Sequence, residues 1–257
     1  MTVARSAAHR RASREKTRPS VFWVLGAVVV PLVGLFAKVR IEGGENLPEE
    51  GPYVLAPNHN SEFDPLIVAV AVWRLGRAPR FMAKESLFRV PVLGAALRAT
   101  GMVPVARSAS ASSAKQTLDT SAQLVDHGRG VIVYPEGTLT RDPELWPMRG
   151  KTGAARLALA GDIPLIPLAQ WGVQEIMPRY GKPRFPRRSR IVVRIGEPLD
   201  LSEYPGAQTP PAGLVAATTQ LMNRIAQLLG DLRGQQPPAE RWDPAAHQQK
   251  ETGRFES

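Results

Sequence analysis

The sequence predicts an α/β fold in which helices flank a mixed, mostly parallel central sheet, with an apolar helix preceding it. Short runs rich in Val and Ile alternate with longer segments of helical periodicity, which is the order expected when helices connect parallel strands. Glycine and proline residues separate these runs, and no internal repeat is visible. With 257 residues, 43% hydrophobic and 22% charged, the chain suits one main globular domain.

The strands are predicted from short apolar runs bounded by turn residues. They are expected at residues 39–42, 53–56, 80–84, 101–105, 131–134, 163–170 and 190–195. The run at residues 131–134 is the strongest of these, because it is continuously apolar and stops at the Pro135-Glu136-Gly137 turn.

The helices are predicted from apolar periodicity and from residues that start or stop a helix. They are expected at residues 66–75, 90–99, 112–126, 152–160 and 214–232. The first begins near Asp64 and Pro65, since proline suits the first turn, and the third and fourth end at Gly128 and Gly161. In the last, apolar residues recur at helical spacing, which predicts an amphipathic helix.

Four segments follow from these patterns: a basic, disordered arm at residues 1–20, an apolar segment at 21–37, a main domain at 38–233 and a disordered tail at 234–257. The apolar segment has seventeen uncharged residues, the short end for a bilayer crossing, and Pro31 would bend it. A membrane anchor that spans or only embeds is favoured over a signal peptide or a buried core helix, because no small-residue cleavage site follows. The basic arm favours a cytoplasmic amino terminus.

The formal charge of +10 is concentrated in two regions. Residues 1–20 carry six Arg or Lys against one Glu, and residues 179–194 carry seven with no acidic residue. Such regions attract phospholipid headgroups or nucleic acid, and charge alone does not distinguish the two partners. The chain has no cysteine, which excludes disulfides, thiolate nucleophiles and cysteine zinc sites, so catalysis must use oxygen and nitrogen groups.

One loop motif carries a candidate catalytic pair. Residues 58–64 read Asn-His-Asn-Ser-Glu-Phe-Asp, which places His59 five residues before Asp64. A carboxylate that fixes the imidazole tautomer and stabilises its cation makes histidine a general base, so the pair predicts proton abstraction from a hydroxyl. Taken alone, Asp64 also suits a helix N-cap, as does Ser61, and His59 suits an ordinary loop histidine.

Three further blocks follow in order: Gly-Met-Val-Pro-Val-Ala-Arg at residues 101–107, Tyr-Pro-Glu-Gly-Thr at 134–138 and Ile-Pro-Leu-Ile-Pro at 163–167. With the first motif they resemble the four sequence blocks of the glycerolipid acyltransferase family, whose bacterial members acylate 1-acylglycerol 3-phosphate. The resemblance implies that His59 is the general base on the glycerol hydroxyl and that Asp64 orients it. It also implies that the hydroxyl attacks an acyl thioester directly, with no covalent enzyme intermediate.

The resemblance assigns acceptor binding to residues of the second and third blocks. Arg107 is expected to bind the acceptor phosphate with its guanidinium fork, while Glu136, Gly137 and Thr138 shape the acceptor site. Lys84 and Lys151 are further candidate phosphate ligands, since Lys151 precedes a predicted helix, although either also suits an ordinary surface lysine.

The resemblance implies a phospholipid membrane, a lysophospholipid acceptor and acyl-CoA or an acyl carrier protein as partners, and no nucleic acid. The thioester is a co-substrate, and neither a cofactor nor a metal is expected. The expected location is the cytoplasmic face of the cell membrane. The basic run at residues 179–194 then suits an anionic leaflet, an acidic carrier protein, the phosphates of coenzyme A or a solvated hairpin.

The chain departs from the family pattern in two places. The third block usually has Arg directly after Thr, whereas Leu139 and Thr140 precede Arg141 here, so either Arg141 reaches the same anion from a shifted position or the acceptor headgroup differs. In the second block Pro104 replaces a bulky apolar residue, which predicts a locally altered strand.

Several alternatives remain open at this stage. In the loop after the third block, Trp146 and Arg149 suit headgroup or membrane contact, or in the case of Trp146 a packed loop. Other functions are the same chemistry on another lysophospholipid, glycolipid or aminolipid, a non-catalytic basic membrane- or nucleic-acid-binding protein, and a metal-dependent hydrolase. The last is the weakest, because the other histidines lie outside the four blocks.

Overall fold

A computed structural model of the chain describes residues 20–105, 111–184 and 188–249. The strands are β1 (Ala37–Glu42), β2 (Tyr53–Pro57), β3 (Met82–Lys84), β4 (Val103–Val105), β5 (Gly130–Ile132), β6 (Leu165–Trp171) and β7 (Ser189–Ile195). The helices are α1 (Val21–Phe36), α2 (Asp64–Arg74), α3 (Pro91–Ala99), α4 (Ala111–His127), α5 (Gly153–Gly161), α6 (Val173–Ile176) and α7 (Pro211–Arg233). Each predicted strand and helix is present with ends shifted by a few residues, and α6 is an element that the sequence patterns did not predict.

The main sheet has five strands in the order β1-β7-β6-β2-β5. β1 runs parallel to β7, and β2 runs parallel to both β5 and β6, whereas β6 and β7 are antiparallel. β3 and β4 form a separate parallel pair in which Pro104 lies opposite Ala83 in regular register. The altered strand next to Arg107 stays a prediction, because residues 106–110 lie outside the described part of the chain. The predicted mixed, mostly parallel sheet flanked by helices is confirmed.

The core lies on both faces of this sheet because side chains alternate along each strand. In β2, Tyr53 and Leu55 pack on one face with apolar residues of α1 and α2. Val54 and Ala56 pack on the other face with residues of α5 and α7. The result is a three-layer arrangement in which both faces of the sheet are covered.

Helix α1 lies against α2 along one side. The rings of Trp23 and Trp73 meet edge to face at 6.1 Å, and Gly26 leaves room for the Trp73 indole, because a Cβ there would lie 2.5 Å from its nitrogen. Phe22 and Val33 are buried, while a stripe on the opposite side is exposed. No helix in the described ranges is both long enough and apolar enough to cross a membrane.

Residues 235–249, predicted to be disordered, instead follow an irregular path against the domain. Gln235 donates its backbone N–H to Gly230 O, and Trp242 O accepts the backbone N–H of Arg149. The indole of Trp242 stacks on His247 with centroids 3.5 Å apart. The prediction for residues 250–257, like that for the basic arm up to residue 19, falls outside the described residues.

Candidate functional site

The first and third sequence blocks leave the sheet side by side. β2 ends at Pro57 and β5 at Ile132, and the two strands are parallel neighbours. The carboxyl ends of adjacent parallel strands meet at one edge of a sheet, where α/β proteins usually bind ligands. The loop of residues 58–63 and the turn at Tyr134–Gly137 are therefore adjacent, although about 75 residues separate them in sequence.

His59 and Asp64 form a hydrogen-bonded pair on this edge. His59 Nδ1 lies 3.0 Å from Asp64 Oδ2, and the carboxylate is fully buried while the imidazole is 16% exposed. The same Oδ2 accepts the backbone N–H groups of Asn60 and Ser61 at 2.6 and 2.8 Å. An ionised carboxylate has no proton to donate. With Asp64 ionised, His59 Nδ1 therefore carries the shared proton and Nε2 is the basic nitrogen.

The N-cap alternative for Asp64 is wrong. Asp64 is the first residue of α2, Phe63 occupies the cap position, and no side chain caps this helix, while Pro65 lies in the first turn as predicted. The Asp64 carboxylate bonds backward to the loop that carries His59. Burial raises the pKa of Asp64, against the lowering effect of the His59 contact and the two amide hydrogen bonds.

Two side chains attach the His59 loop to neighbouring elements. Asn58 bonds through both ends of its amide to the backbone of Gln170 in β6, accepting its N–H at 2.8 Å and donating to its carbonyl at 3.2 Å. Ser61 Oγ donates to Met177 O at 2.6 Å and accepts the N–H of Phe63. These buried contacts restrict the loop, so the dyad rests on a rigid support.

Glu136 supports the same loop from the other side. Its Oε1 accepts the backbone N–H of His59 at 3.0 Å, and its Oε2 accepts the backbone N–H of Met148 at 3.0 Å. The side chain is fully buried, and this burial raises its pKa to about 8. Glu136 thus joins the loop that carries His59 to the loop that precedes α5. This structural contact was not part of its expected role in the acceptor site.

Tyr134 packs directly on the candidate base, which sequence reasoning missed. Its ring stacks on the His59 imidazole with centroids 4.1 Å apart and an interplanar angle of 26°. Phe81 stacks on the far side of Tyr134 at 6.4 Å. An aromatic face in this position restrains the histidine ring. An aromatic residue before Pro-Glu-Gly is the only sequence signal of this contact, and alone it does not predict the partner.

Gly137 and Lys151 come together at the turn after Glu136. Gly137 has a φ of +70°, a left-handed conformation that favours glycine. The Lys151 side chain crosses over it, since a Cβ at Gly137 would lie 3.3 Å from Lys151 Cδ. Lys151 is exposed, and its backbone N–H bonds to Pro135 O at 2.7 Å. Thr138 is half-buried beside this turn.

Arg141 lies in a buried loop. It is 3% exposed, and its neighbour Thr140 donates its backbone N–H to His59 O at 2.8 Å. Arg179 holds the same loop by donating from Nη1 to the carbonyls of Thr140 and Asp142 at 2.6 and 2.8 Å. Burial lowers the pKa of Arg179. One cation of the basic run at residues 179–194 therefore has a structural role.

Other parts of the basic run differ in exposure. Arg194 contacts Glu42 at 2.7 Å and Asp231 at 3.4 Å. Lys182, Arg184, Arg188 and Arg190 are exposed.

Trp146 is 3% exposed beneath the Arg233 guanidinium, which lies 4.1 Å from its ring, so the packed-loop interpretation of Trp146 is confirmed.

Two predicted site residues have no described side chain. The backbone of Lys84 ends β3, and its side chain lies outside the described part of the chain. Arg107 falls in the gap between residues 105 and 111, so its expected contact with phosphate stays a prediction. Within the described ranges, no group of three or more His, Asp or Glu side chains is arranged to hold a metal ion.

The described geometry suits proton abstraction. His59 is held through Nδ1 by a buried carboxylate, and Lys151 crosses the turn after Glu136, whose side chain bonds to the His59 backbone. A base, a fixed partner and a nearby cation are what an attack by the hydroxyl of an anionic substrate requires.

Comparison with known proteins extends these observations. A family model described as Acyltransferase matches residues 38–171. A 1-acyl-sn-glycerol-3-phosphate acyltransferase of Bacillus subtilis is 30% identical over 198 residues, covering 77% of this chain and 91% of the relative. The chloroplastic 1-acyl-sn-glycerol-3-phosphate acyltransferase BAT2 of Brassica napus is 35% identical over 144 residues, which is 56% of this chain and 40% of the relative. The chain spans 40% of the length of BAT2 and 38% of the length of LPAT1, a chloroplastic 1-acyl-sn-glycerol-3-phosphate acyltransferase of Arabidopsis thaliana.

Among solved structures, the 1-acyl-sn-glycerophosphate acyltransferase PlsC of Thermotoga maritima has a similar fold. The TM-score is 0.61, with 21% sequence identity over 87% of this chain and 81% of that one. At this identity the likeness concerns the fold alone.

Proposed function

This chain belongs to the acyltransferase family, and we propose that it transfers a fatty acyl group from an acyl thioester to the free hydroxyl of 1-acylglycerol 3-phosphate, forming phosphatidate. The names of its relatives specify this acceptor, and the geometry of the site suits the chemistry. The single observation that carries the proposal is the 3.0 Å contact between His59 Nδ1 and the buried Asp64 carboxylate, held by two backbone amides.

In the proposed reaction His59 is the general base and Asp64 is its positioning residue. His59 Nε2 takes the proton of the acceptor hydroxyl while the hydroxyl oxygen forms a bond to the thioester carbonyl carbon. The resulting tetrahedral intermediate expels the thiolate as the carbon–sulfur bond breaks. The imidazolium then returns the proton to the thiolate, so the base is regenerated and no enzyme side chain is acylated.

The acceptor phosphate is proposed to lie near the turn at Gly137. Lys151 crosses this turn, and Arg107 in the second block is the expected bidentate ligand. Arg141 is a less suitable first contact, because its side chain is buried in the loop below His59. Thr138 flanks the same turn, while Lys84 remains a candidate at the end of β3.

The departure at residues 139–141 favours a second candidate function with the same chemistry. Leu139 is buried, and Thr140 donates from Oγ1 to Trp146 O. Both side chains therefore stabilise the loop in which they lie. The family pattern has an arginine directly after Thr138, and this chain has it two residues later. Such a shift of one phosphate ligand suits an acceptor with a different headgroup, such as another lysophospholipid, a glycolipid or an aminolipid.

An assay of the purified protein with labelled acyl-CoA and acyl carrier protein thioester against a panel of lyso-acceptors tests both functions. We expect phosphatidate from 1-acylglycerol 3-phosphate, and we expect the His59→Ala variant to lose this activity while retaining membrane binding. Turnover of another acceptor alone would replace the first candidate by the second. Equal activity of His59→Ala would reject the proposed base, and inactivity on every acceptor would favour a binding protein.

We also propose that the protein acts at the cytoplasmic face of the cell membrane, with α1 embedded in the leaflet that holds the lysolipid. The exposed stripe of α1 supports this proposal, because large apolar side chains facing solvent usually mark an interaction surface. Exposed cations lie near the carboxyl end of the helix, where Arg188 Nε donates to Gly34 O at 2.7 Å and Lys38 follows. Their charge would attract an anionic leaflet.

A further inference from the structure

A cleft of about 420 Å³ lies between the loop before α5, helix α7 and the carboxyl-terminal segment. Glu136 and Lys151 line it, and Glu136 is hydrogen-bonded to the backbone of His59. Val215 and Thr219 of α7 form one wall, and Arg241 and Pro244 of the carboxyl-terminal segment form another. This volume lies within the range of small-molecule sites. The cleft is therefore lined both by residues within the range that the family model matches, 38–171, and by residues beyond that range.

Three cations line this cleft: Arg149, Lys151 and Arg241. The Arg149 guanidinium meets Asp243 at 3.4 Å, but this pair is largely exposed and screened by solvent. Within the described ranges, the Arg241 guanidinium donates a hydrogen bond to Asn223 Oδ1, a neutral amide oxygen, at 2.8 Å. Burial lowers the pKa of Arg241, the direction expected for a cation that is partly withdrawn from water.

Contacts between the carboxyl-terminal segment and the domain fix the position of Arg241. Arg149 donates its backbone N–H to Trp242 O at 3.1 Å, which attaches the carboxyl-terminal segment directly to the loop before α5. Pro244 is buried against the domain, and Trp242 stacks on His247. Arg241 therefore projects from a segment that is attached to the domain. A side chain that orients a ligand needs such a fixed support.

We infer that the carboxyl-terminal segment completes a phosphate-binding cleft in which Arg241, with Arg149 and Lys151, binds the phosphate of one of the two substrates. This inference rests on the proposed function, which supplies both candidate ligands: the nucleotide phosphates of the acyl-CoA donor and the phosphate of the lysolipid acceptor. Both ligands present phosphate oxyanions, which an arginine fork and an ammonium group recognise. The cap residue of α5, Thr152, lines the cleft, so the amino terminus of this helix adds a favourable dipole.

Direct binding measured without turnover separates this inference from the proposed function. The probes are adenosine 3′,5′-bisphosphate for the donor and glycerol 3-phosphate for the acceptor, titrated by calorimetry into the full chain at low salt. We expect one probe to bind, and the Arg241→Gln variant to raise its Kd about tenfold, the effect of losing one hydrogen bond to a charged group. The Arg241→Lys variant should recover part of this loss.

The matched control is Arg224→Gln, which removes an arginine of α7 that does not line the cleft and should leave both Kd values unchanged. Thermal unfolding of each variant checks that the fold is kept, and Arg149→Gln provides a second variant of the cleft.

Weaker binding of the bisphosphate assigns the cleft to the donor, and weaker binding of glycerol 3-phosphate assigns it to the acceptor. Unchanged affinity for both probes in Arg241→Gln and Arg149→Gln, or no binding by the unaltered protein, would overturn the inference even if the enzyme is active. An inactive enzyme that still binds a probe through Arg241 would refute the proposed function alone.

Discussion

At the scale of single residues, the site depends on buried carboxyl groups that each accept several hydrogen bonds. Asp64 Oδ2 accepts from the His59 imidazole and from two amides, and Glu136 accepts from His59 N and Met148 N. Because both carboxylates are buried, they restrain the loop as well as the imidazole. The stack of Tyr134 on His59 restrains the ring from a third side.

Asp64→Asn should separate orientation of the base from stabilisation of its cation. An amide oxygen can replace Oδ2 as acceptor, so the loop should keep its fold, but the amide lacks the charge that favours imidazolium. We expect kcat to fall by about 10²- to 10⁴-fold with a much smaller loss of stability in urea. The matched control is Asp142→Asn, a buried aspartate that accepts the amides of Glu144 and Trp146 in the neighbouring loop. A similar loss of kcat in both variants would indicate a merely structural role for Asp64.

At the scale of elements, α1 has two different sides. One side packs on α2 and the core, and the other exposes large apolar residues at helical spacing: Val21, Val24, Leu25, Val28, Leu32 and Leu35. Sixteen residues span about 24 Å, less than the hydrocarbon core of about 30 Å. This geometry suits a helix that lies in the interface with one side in the leaflet.

Charges on the exposed stripe of α1 should weaken membrane binding. We expect Val28→Glu with Leu32→Glu to reduce co-sedimentation with anionic phospholipid vesicles several-fold, because both side chains would enter the acyl region. Leu118→Glu with Val125→Glu places the same charges on exposed apolar positions of α4 and serves as control. Circular dichroism should show intact folding in all variants. Equal sedimentation of both pairs would exclude α1 as the membrane contact.

At the scale of the whole molecule, stability should depend on pH through Glu136. Its ordinary pKa of 4.5 is raised to about 8 by burial in the folded protein. Between these values the unfolded chain has released a proton that the folded protein keeps, so a rise in pH favours unfolding. The free energy of unfolding should therefore fall from about pH 4.5 to about pH 8, by at most ~1.4 kcal/mol per pH unit from this group.

Urea unfolding of the protein and of Glu136→Gln across this pH range measures the contribution. The glutamine does not titrate, although its amide N–H₂ meets a backbone donor and lowers stability at every pH. The difference in unfolding free energy between the two proteins should narrow as pH rises. A constant difference would show that Glu136 does not titrate in this range.

Most of the fold was predictable because it follows from local patterns. The β-branched run before Pro135 predicted a buried strand, and the proline after Asp64 predicted the start of α2. Residues 235–249, expected from their composition to be disordered, are attached to the domain by backbone hydrogen bonds of Gln235 with Gly230 in α7 and of Trp242 with Arg149. Composition over a short window does not report such contacts.

The sequence by itself determined the family and the identity of the candidate dyad, since His59 and Asp64 lie five residues apart on one loop and the blocks follow a recognisable order. Only the tertiary structure decided how Glu136, Lys151 and Arg241 meet around that loop. Glu136 reaches a backbone 77 residues away, and Arg241 enters the cleft from beyond the last helix. Contacts of this range depend on which strands pair and which helices cover them, and that is a property of the assembled sheet that no local spacing encodes.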